Sequence, residues 1–344
     1  MDISIDMLSV GNANAIAVWL KHDAGSFVVV IDGGNKDDGK KLIAHMDEHI
    51  FPHTSLSAPN LVILTHPDSD HVGGLTDVVQ HYGRSIGEVW VHDPASHMLA
   101  TTYTSLKARL QVRSATTAYR VLMENLDQLE TFLNAVDRVG IPRVEPFYPL
   151  TRSNIINVLG PSQDYYEGLL PTFEQLEEFL QRREAIFASR AADKVNEALE
   201  SLTGMLESES PCPVVDEENE TTAINQSSAV IEIRVGDRRY IFPGDAGVAA
   251  LIDVHARCSL SNIYWLAVPH HGSRRNLCSE LISLMSPSTA YISAKGTKKH
   301  PRQALVNCLK KHRASTYSTH SSGSLWHHWG TFPERSSYSA AKPL

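Results

Sequence analysis

Residues 66 to 71 read His66-Pro67-Asp68-Ser69-Asp70-His71, which places four metal-ligand side chains within six positions. Two imidazoles and two carboxylates make a mixed nitrogen and oxygen donor set, suited to zinc, manganese or iron. A loop of this kind can aim His66 and Asp68 at one point and Asp70 and His71 at another. Groups of the same chemistry stand elsewhere in the chain, at Asp32, at Asp245 and at the pair His270 and His271. A carboxylate such as Asp245 can bridge two ions, and two ions ~3.5–4 Å apart suit an in-line attack on phosphorus. Taken singly, an aspartate in a Gly-Asp turn or a histidine pair in a loop is ordinary. Their joint occurrence after apolar runs is what points to a site.

Strands must carry these loops to one place. Asp2 to Leu8 alternates, Ala15 to Leu20 is apolar, and Phe27 to Ile31 is rich in β-branched residues before the turn Asp32-Gly33-Gly34. Leu61 to Leu64 reads as a buried strand that runs straight into Thr65 and His66. Val89 to His92, Ala229 to Val235, Arg239 to Phe242, Tyr264 to Val268 and Thr289 to Ser293 also read as strands. Helices are predicted over Lys40 to His49, from Leu75 toward His81, near Val248 to His255, and over Pro301 to His312. The middle differs: Thr102 to Val139 and Phe173 to Leu206 have helical periodicity, and Pro211 to Glu220 reads as a polar loop. Strands with interleaved helices, given twice, predict a four-layered αββα sandwich. The helical stretches are predicted as insertions at about 99–140 and 164–210 of a single domain spanning 1–335, with 336–344 a tail.

The bulk numbers fit this picture. The chain has 344 residues, 42% of them hydrophobic, which is enough for a substantial core. No apolar run reaches the roughly 18 residues of a membrane span, so no membrane partner is expected. The start, MDISIDMLSV, alternates like a strand and lacks the basic and apolar blocks of a signal peptide. Cys212, Cys258, Cys278 and Cys308 form no C-x-x-C pair and read as reduced thiols, which predicts a cytoplasmic protein. A net charge of −8 argues against a general nucleic-acid coat protein. Yet between Ser261 and Arg313 there are nine basic residues and a single acid, Glu280. A phosphate-bearing substrate would feel that polarity.

The string T-H-P-D-S-D-H-V-G-G-L resembles the H-x-H-x-D-H-x-G-G signature of the metallo-β-lactamase superfamily, in the form with Asp as second ligand. That form resembles the C-terminal domain of ComEC-type DNA-uptake proteins. Ser9 to Ala15 is similar to their D-V-G-Q-G-D-A opening, with Asn14 where Asp is usual, and Val30 to Gly34 matches the D-x-G turn. Asn225 to Val230 resembles N-x-S-S-L-V, Phe242 to Ala246 resembles T-G-D-A, and Val268 to Ser273 matches V-P-H-H-G-S. Lys299-His300-Pro301 resembles the late H-P. The matches span about residues 1 to 95 and 222 to 330. The resemblance implies the metallo-β-lactamase fold, two divalent metal ions, zinc or manganese, and His66, Asp68, Asp70, His71, Asp245 and His270 as ligands. Asp32, Asn14, Asn225 and His271 are then outer-sphere residues or alternative ligands, with the choice between His270 and His271 open. No histidine lies between Met98 and Val254, so the further His common in the superfamily is missing. That leaves the first ion with His66, Asp68, Asp245 and solvent, an oxygen-rich set that makes manganese as suitable as zinc.

The expected chemistry is hydrolysis of a phosphodiester by metal-activated water, as in a nuclease or phosphodiesterase. Asp70 is expected to hold the water as well as a metal, and His300 to protonate the leaving oxygen. Arg274, Arg275, Lys298 and Lys299 are expected to hold phosphates of the substrate, a nucleic acid or another phosphodiester. The helical insertions offer a surface for a protein partner. Two alternatives stand beside this reading: a hydrolase of a small non-nucleic ester (a lactone, thioester or choline-phosphate ester), and a metal-stabilised binding module.

Overall fold

The computed structural model describes residues 1–98, 117–170, 212, 221–297, 299–335 and 338–344. The first half of the chain builds one sheet: β1 (Asp2–Met7), β2 (Ala15–His22), β3 (Gly25–Gly33), β4 (Leu61–Ile63), β5 (Glu88–Trp90) and β6 (Arg143–Val144) lie side by side in that order. The second half builds the other, from β7 (Thr151–Arg152) through β8 (Ile156–Gly160), β9 (Val230–Val235), β10 (Arg238–Phe242), β11 (Trp265–Ala267) and β12 (Thr289–Ile292) to β13 (Ser315–Ser318). A last strand, β14 (Leu325–Trp329), returns to the first sheet and pairs antiparallel with β1. Both sheets are mixed: β3 to β6 are parallel, as are β10 to β13, and the remaining pairs are antiparallel.

Strand alternation decides which side chain meets which layer. In β1, Ile3, Ile5 and Met7 face the second sheet, while Ser4 and Asp6 face the helices. In β2, Ile16, Val18 and Leu20 face the second sheet, and Ala15, Ala17 and Trp19 face the helices. Three separate buried clusters result, one between the sheets and one under each helical layer, which is what four layers require. The helices over the first sheet are α1 (Gly39–His49), α2 (Ser69–Val72), α3 (Leu75–Tyr82) and α4 (Thr117–Val139). Those over the second are α5 (Val248–Arg257), α6 (Ser279–Met285) and α7 (Gln303–Lys311). The αββα sandwich expected from the sequence is the fold observed.

Helix α4 falls in the stretch read as a first insertion. It buries Leu129, Phe132 and Val136 in the same cluster as Leu75, Val78 and Val79 of α3, as part of the helical layer over the first sheet. The predicted helix from Phe173 to Leu206 lies outside the described residues, as does the loop from Pro211 to Glu220 apart from Cys212. Cys212 is disulfide-bonded to Cys308 of α7, their Cα atoms 4.4 Å apart, which corrects the expectation of four reduced thiols. A separation of 96 residues hid the pair, because only the fold brings the two backbones together. Cys258 and Cys278 are free. Among the described residues no helix is long and apolar enough to cross a membrane. The segment read as a tail lies against the second sheet, with Leu344 N–H donating to the Thr316 carbonyl and Pro343 bridged to Tyr317.

Candidate metal centre

The potential ligands all leave the carboxyl ends of strands, and the two sheets direct those ends to one rim. Asp32 ends β3, Thr65 and His66 follow β4, Asp245 follows β10, and His270 and His271 follow β11. The six-residue loop is held close to the β3 turn by Gly73 and Gly74, which follow it. A Cβ on Gly73 would lie 2.5 Å from the Lys36 nitrogen and 2.6 Å from the Ser69 carbonyl, so only glycine permits the approach. His270, His271 and Gly272 run consecutively through the left-handed region, with φ of 49°, 55° and 79°. That turn points both imidazoles inward, and non-glycine residues occupy such backbone mainly where function demands it.

Asp245 sits at the centre, with its side chain buried. Its Oδ2 lies 3.9 Å from His66 Nε2 and 3.8 Å from His270 Nε2, and its Oδ1 lies 3.3 Å from His71 Nε2. On the first side, Asp68 Oδ2 approaches His66 Nε2 at 3.5 Å. On the second, Asp70 Oδ2 stands 3.0 Å from His271 Nε2 and 4.0 Å from His71 Nε2. The side chains thus fall into two overlapping groups. His66, His71 and Asp245 bring ligand atoms within 4.8 Å of one another, as do Asp70, His71 and His271, with Asp68 and His270 at the margin of the first side. Of the paired histidines, His271 joins a cluster, while His270 Nε2 approaches Asp245 Oδ2 alone, at 3.8 Å.

Outer contacts fix which nitrogen faces inward. His71 Nδ1 is 2.7 Å from Asp32 Oδ2, and Asp32 Oδ1 accepts the Thr65 backbone N–H at 2.8 Å. His271 Nδ1 donates to the Ser293 carbonyl at 3.0 Å. His270 Nδ1 lies 3.1 Å from both Asn276 Oδ1 and the Asn225 amide. Asp32 and Asn225 therefore orient ligands, while Asn14 acts through its backbone, donating to the Asp70 carbonyl and accepting from Gly34 N–H. The inward Nε2 atoms of His66 and His71 are buried and make no hydrogen bond, which suits electron-pair donors to a cation. The donor set and these orphaned nitrogens fit a pair of divalent ions.

The electrostatics agree. Burial works against charge on His71, but Asp245, Asp32 and Asp70 outweigh it and hold the imidazole well above its usual range. Burial likewise opposes ionisation of Asp70, yet the His71 charge and the His271 hydrogen bond carry that carboxyl down to about 2. A divalent cation supplies the positive charge these carboxylates attract. His300 lies outside both groups, with its ring stacked on His270 at 5.6 Å between centroids. Burial, with His270 and His271 adding to it, pushes its pKa down to about 3, so it is neutral at pH 7.

The basic stretch divides. Arg274 and Arg275 follow the histidine pair, and Lys299 is exposed beside His300. Lys310 and Lys311 sit at the far end of α7, roughly 13 Å along its axis, away from the rim. Lys298 lies outside the described residues. Sequence reasoning missed Asn125, Asn276 and Ser293, whose only signal is spatial. Asn125, on α4, donates to Asp68 Oδ1 at 2.6 Å.

Residues 8–146 match the family model of the metallo-beta-lactamase superfamily. Among solved structures the chain is similar to the metallo-beta-lactamase fold protein YhfI from Bacillus subtilis, at 8% identity and a TM-score of 0.44, covering 95% of this chain and 99% of that one. No curated protein matches it. With its ligand loops gathered on one rim of two mixed sheets and residues 8–146 matched by that model, the chain has the metallo-β-lactamase fold.

Proposed function

We propose that the protein is a two-metal hydrolase acting on phosphodiesters, with nucleic acid the favoured class. The observation that carries this reading is Asp245, whose Oδ2 faces His66 and whose Oδ1 faces His71, which is shared with Asp70 and His271. The superfamily consists mostly of hydrolytic enzymes, which favours catalysis over a purely structural metal. When bound, two such ions lower the pKa of water and neutralise charge on phosphoryl oxygens.

The chain's own residues supply the rest. Asp70 holds its second oxygen free of His271 and can orient the attacking water. His300, neutral and stacked on His270, can offer a single N–H to an oxygen of the substrate. Arg274 and Arg275 directly follow V-P-H-H-G-S, and Lys298 and Lys299 directly precede His300-Pro301. Cations in this position suit a backbone with several phosphates better than a neutral lactone or thioester. The similarity of those motifs to ComEC-type domains points the same way.

The test compares a polymer with a small substrate. Lys298→Glu with Lys299→Glu should raise KM on DNA or RNA at least tenfold while changing an aryl phosphodiester little, with metal content unaltered. Binding of the wild-type chain to the polymer should also weaken steeply with salt. No loss on the polymer would move the substrate to a small ester.

A further inference from the structure

Asp68 stands at the N-terminus of α2, the position from which an aspartate ordinarily folds its carboxylate back onto the free N–H groups of its own helix. Here it does not: its backbone is extended there, with φ −63° and ψ 144°, yet its side chain caps nothing. Asn125 takes part of that work instead. Its Oδ1 accepts the Ser69 backbone N–H at 3.1 Å, and its Nδ2 donates to Asp68 Oδ1 at 2.6 Å. The amide orientation is dictated by the partners, since a backbone N–H can only donate and a carboxylate can only accept. Asn125 is buried, 5% exposed, and comes from α4, 57 residues away from Asp68.

A carboxylate is planar, so fixing one oxygen aims the other. With Oδ1 held by Asn125, Oδ2 of Asp68 turns to within 3.5 Å of His66 Nε2, on the side of Asp245. We propose that Asn125 is a positioning residue of the first ion site. It caps α2 from outside and so keeps Asp68 from capping its own helix, leaving that carboxylate for the metal. This rests on the two-metal reading. It assigns α4 a role in metal affinity, which its sequence, without histidine or a ligand cluster, does not advertise.

Two substitutions separate the parts of the clamp. Asn125→Ala removes both bonds. Asn125→Asp keeps an acceptor for Ser69 N–H but replaces the donor to Asp68 with a repelling carboxylate. Metal-stripped wild type and variants would be titrated with Zn²⁺ and with Mn²⁺ against a competing chelator, with stoichiometry read by elemental analysis and folding by circular dichroism. Both variants should bind the first ion about 10–100-fold more weakly, as loss of an outer-sphere partner does. The second ion, held by Asp70, His71 and His271, should keep its affinity. In an Asp68→Ala background, Asn125→Ala should add no further loss. Wild-type affinities for both ions in the folded variants would overturn the role of Asn125. So would an equal loss at both ions, or an added loss without Asp68. A wild-type chain that takes up neither ion would overturn the two-metal reading itself, and this one with it.

Discussion

Asp32 Oδ2 lies 2.7 Å from Nδ1 of His71, in a contact where neither side chain reaches solvent. The pair sets the tautomer that turns Nε2 toward Asp245, and it makes the imidazole a better electron donor. Asp32→Asn keeps the shape but removes the charge. It should weaken the second ion about 10–100-fold and leave the first closer to wild type. Metal titration of the stripped variant checks this, and equal loss at both ions would point to collapse of the β3 turn instead.

Removal of the shared carboxylate should be more damaging. In Asp245→Ala both ligand groups lose a donor, so the purified variant should hold far less than two ions per chain. Elemental analysis checks it, and full occupancy would take Asp245 off the ligand set. The same substitution also removes the acceptor of the His270 backbone N–H, so the left-handed turn should loosen with it.

How much of this was legible in the sequence follows from the range over which each signal acts. The strands β1 to β4 and β9 to β12 announce themselves through local alternation or apolar runs, and His66 to His71 is dense enough to be read alone. β14 was not read, because Leu325-Trp326-His327-His328-Trp329 follows no clean alternation and is a strand by virtue of pairing with β1. Asn125 was not read either, since one asparagine in a helix carries no local mark. The histidine pair was legible as a motif, but the direction of its two rings was not, because that depends on the backbone turning left-handed at both residues.

A pH effect should arise away from the metal ligands. His97 bonds Glu167 through Nδ1, at 2.9 Å, and Glu145 through Nε2, at 3.0 Å, with His92 and Tyr166 packed nearby. Burial lowers its pKa, but the two carboxylates more than compensate and raise it above the usual value. A raised histidine stabilises the fold fully below the unfolded pKa, about 6.5, and the contribution fades as pH rises through the folded value. The difference in Tm between wild type and His97→Gln should therefore be greatest near pH 5.5 and shrink toward pH 9. A difference that grows with pH would contradict a charged His97.

Arg335 meets Asp6 with two hydrogen bonds, of 3.0 and 3.1 Å, and neither side chain has access to solvent. Arg335→Ala leaves that carboxylate buried without its guanidinium partner and should cost about 3–5 kcal/mol. Denaturant unfolding checks the value. Asp6→Asn with Arg335→Met should recover much of the loss, since replacing both charges removes the stranded one.

The pairing of β1 with β14 has a consequence for synthesis. Ile3 finds its partner at Trp329, so the edge of the first sheet stays open until β14 has left the ribosome. Domains assemble from the N-terminus as they emerge, at about 5–20 residues per second. For tens of seconds Ile3, Ile5 and Met7 therefore stand on a strand with β2 on one flank and bare backbone on the other, a surface open to chaperones and to neighbouring nascent chains. Arg335, six residues beyond β14, then closes over Asp6 and secures the finished edge.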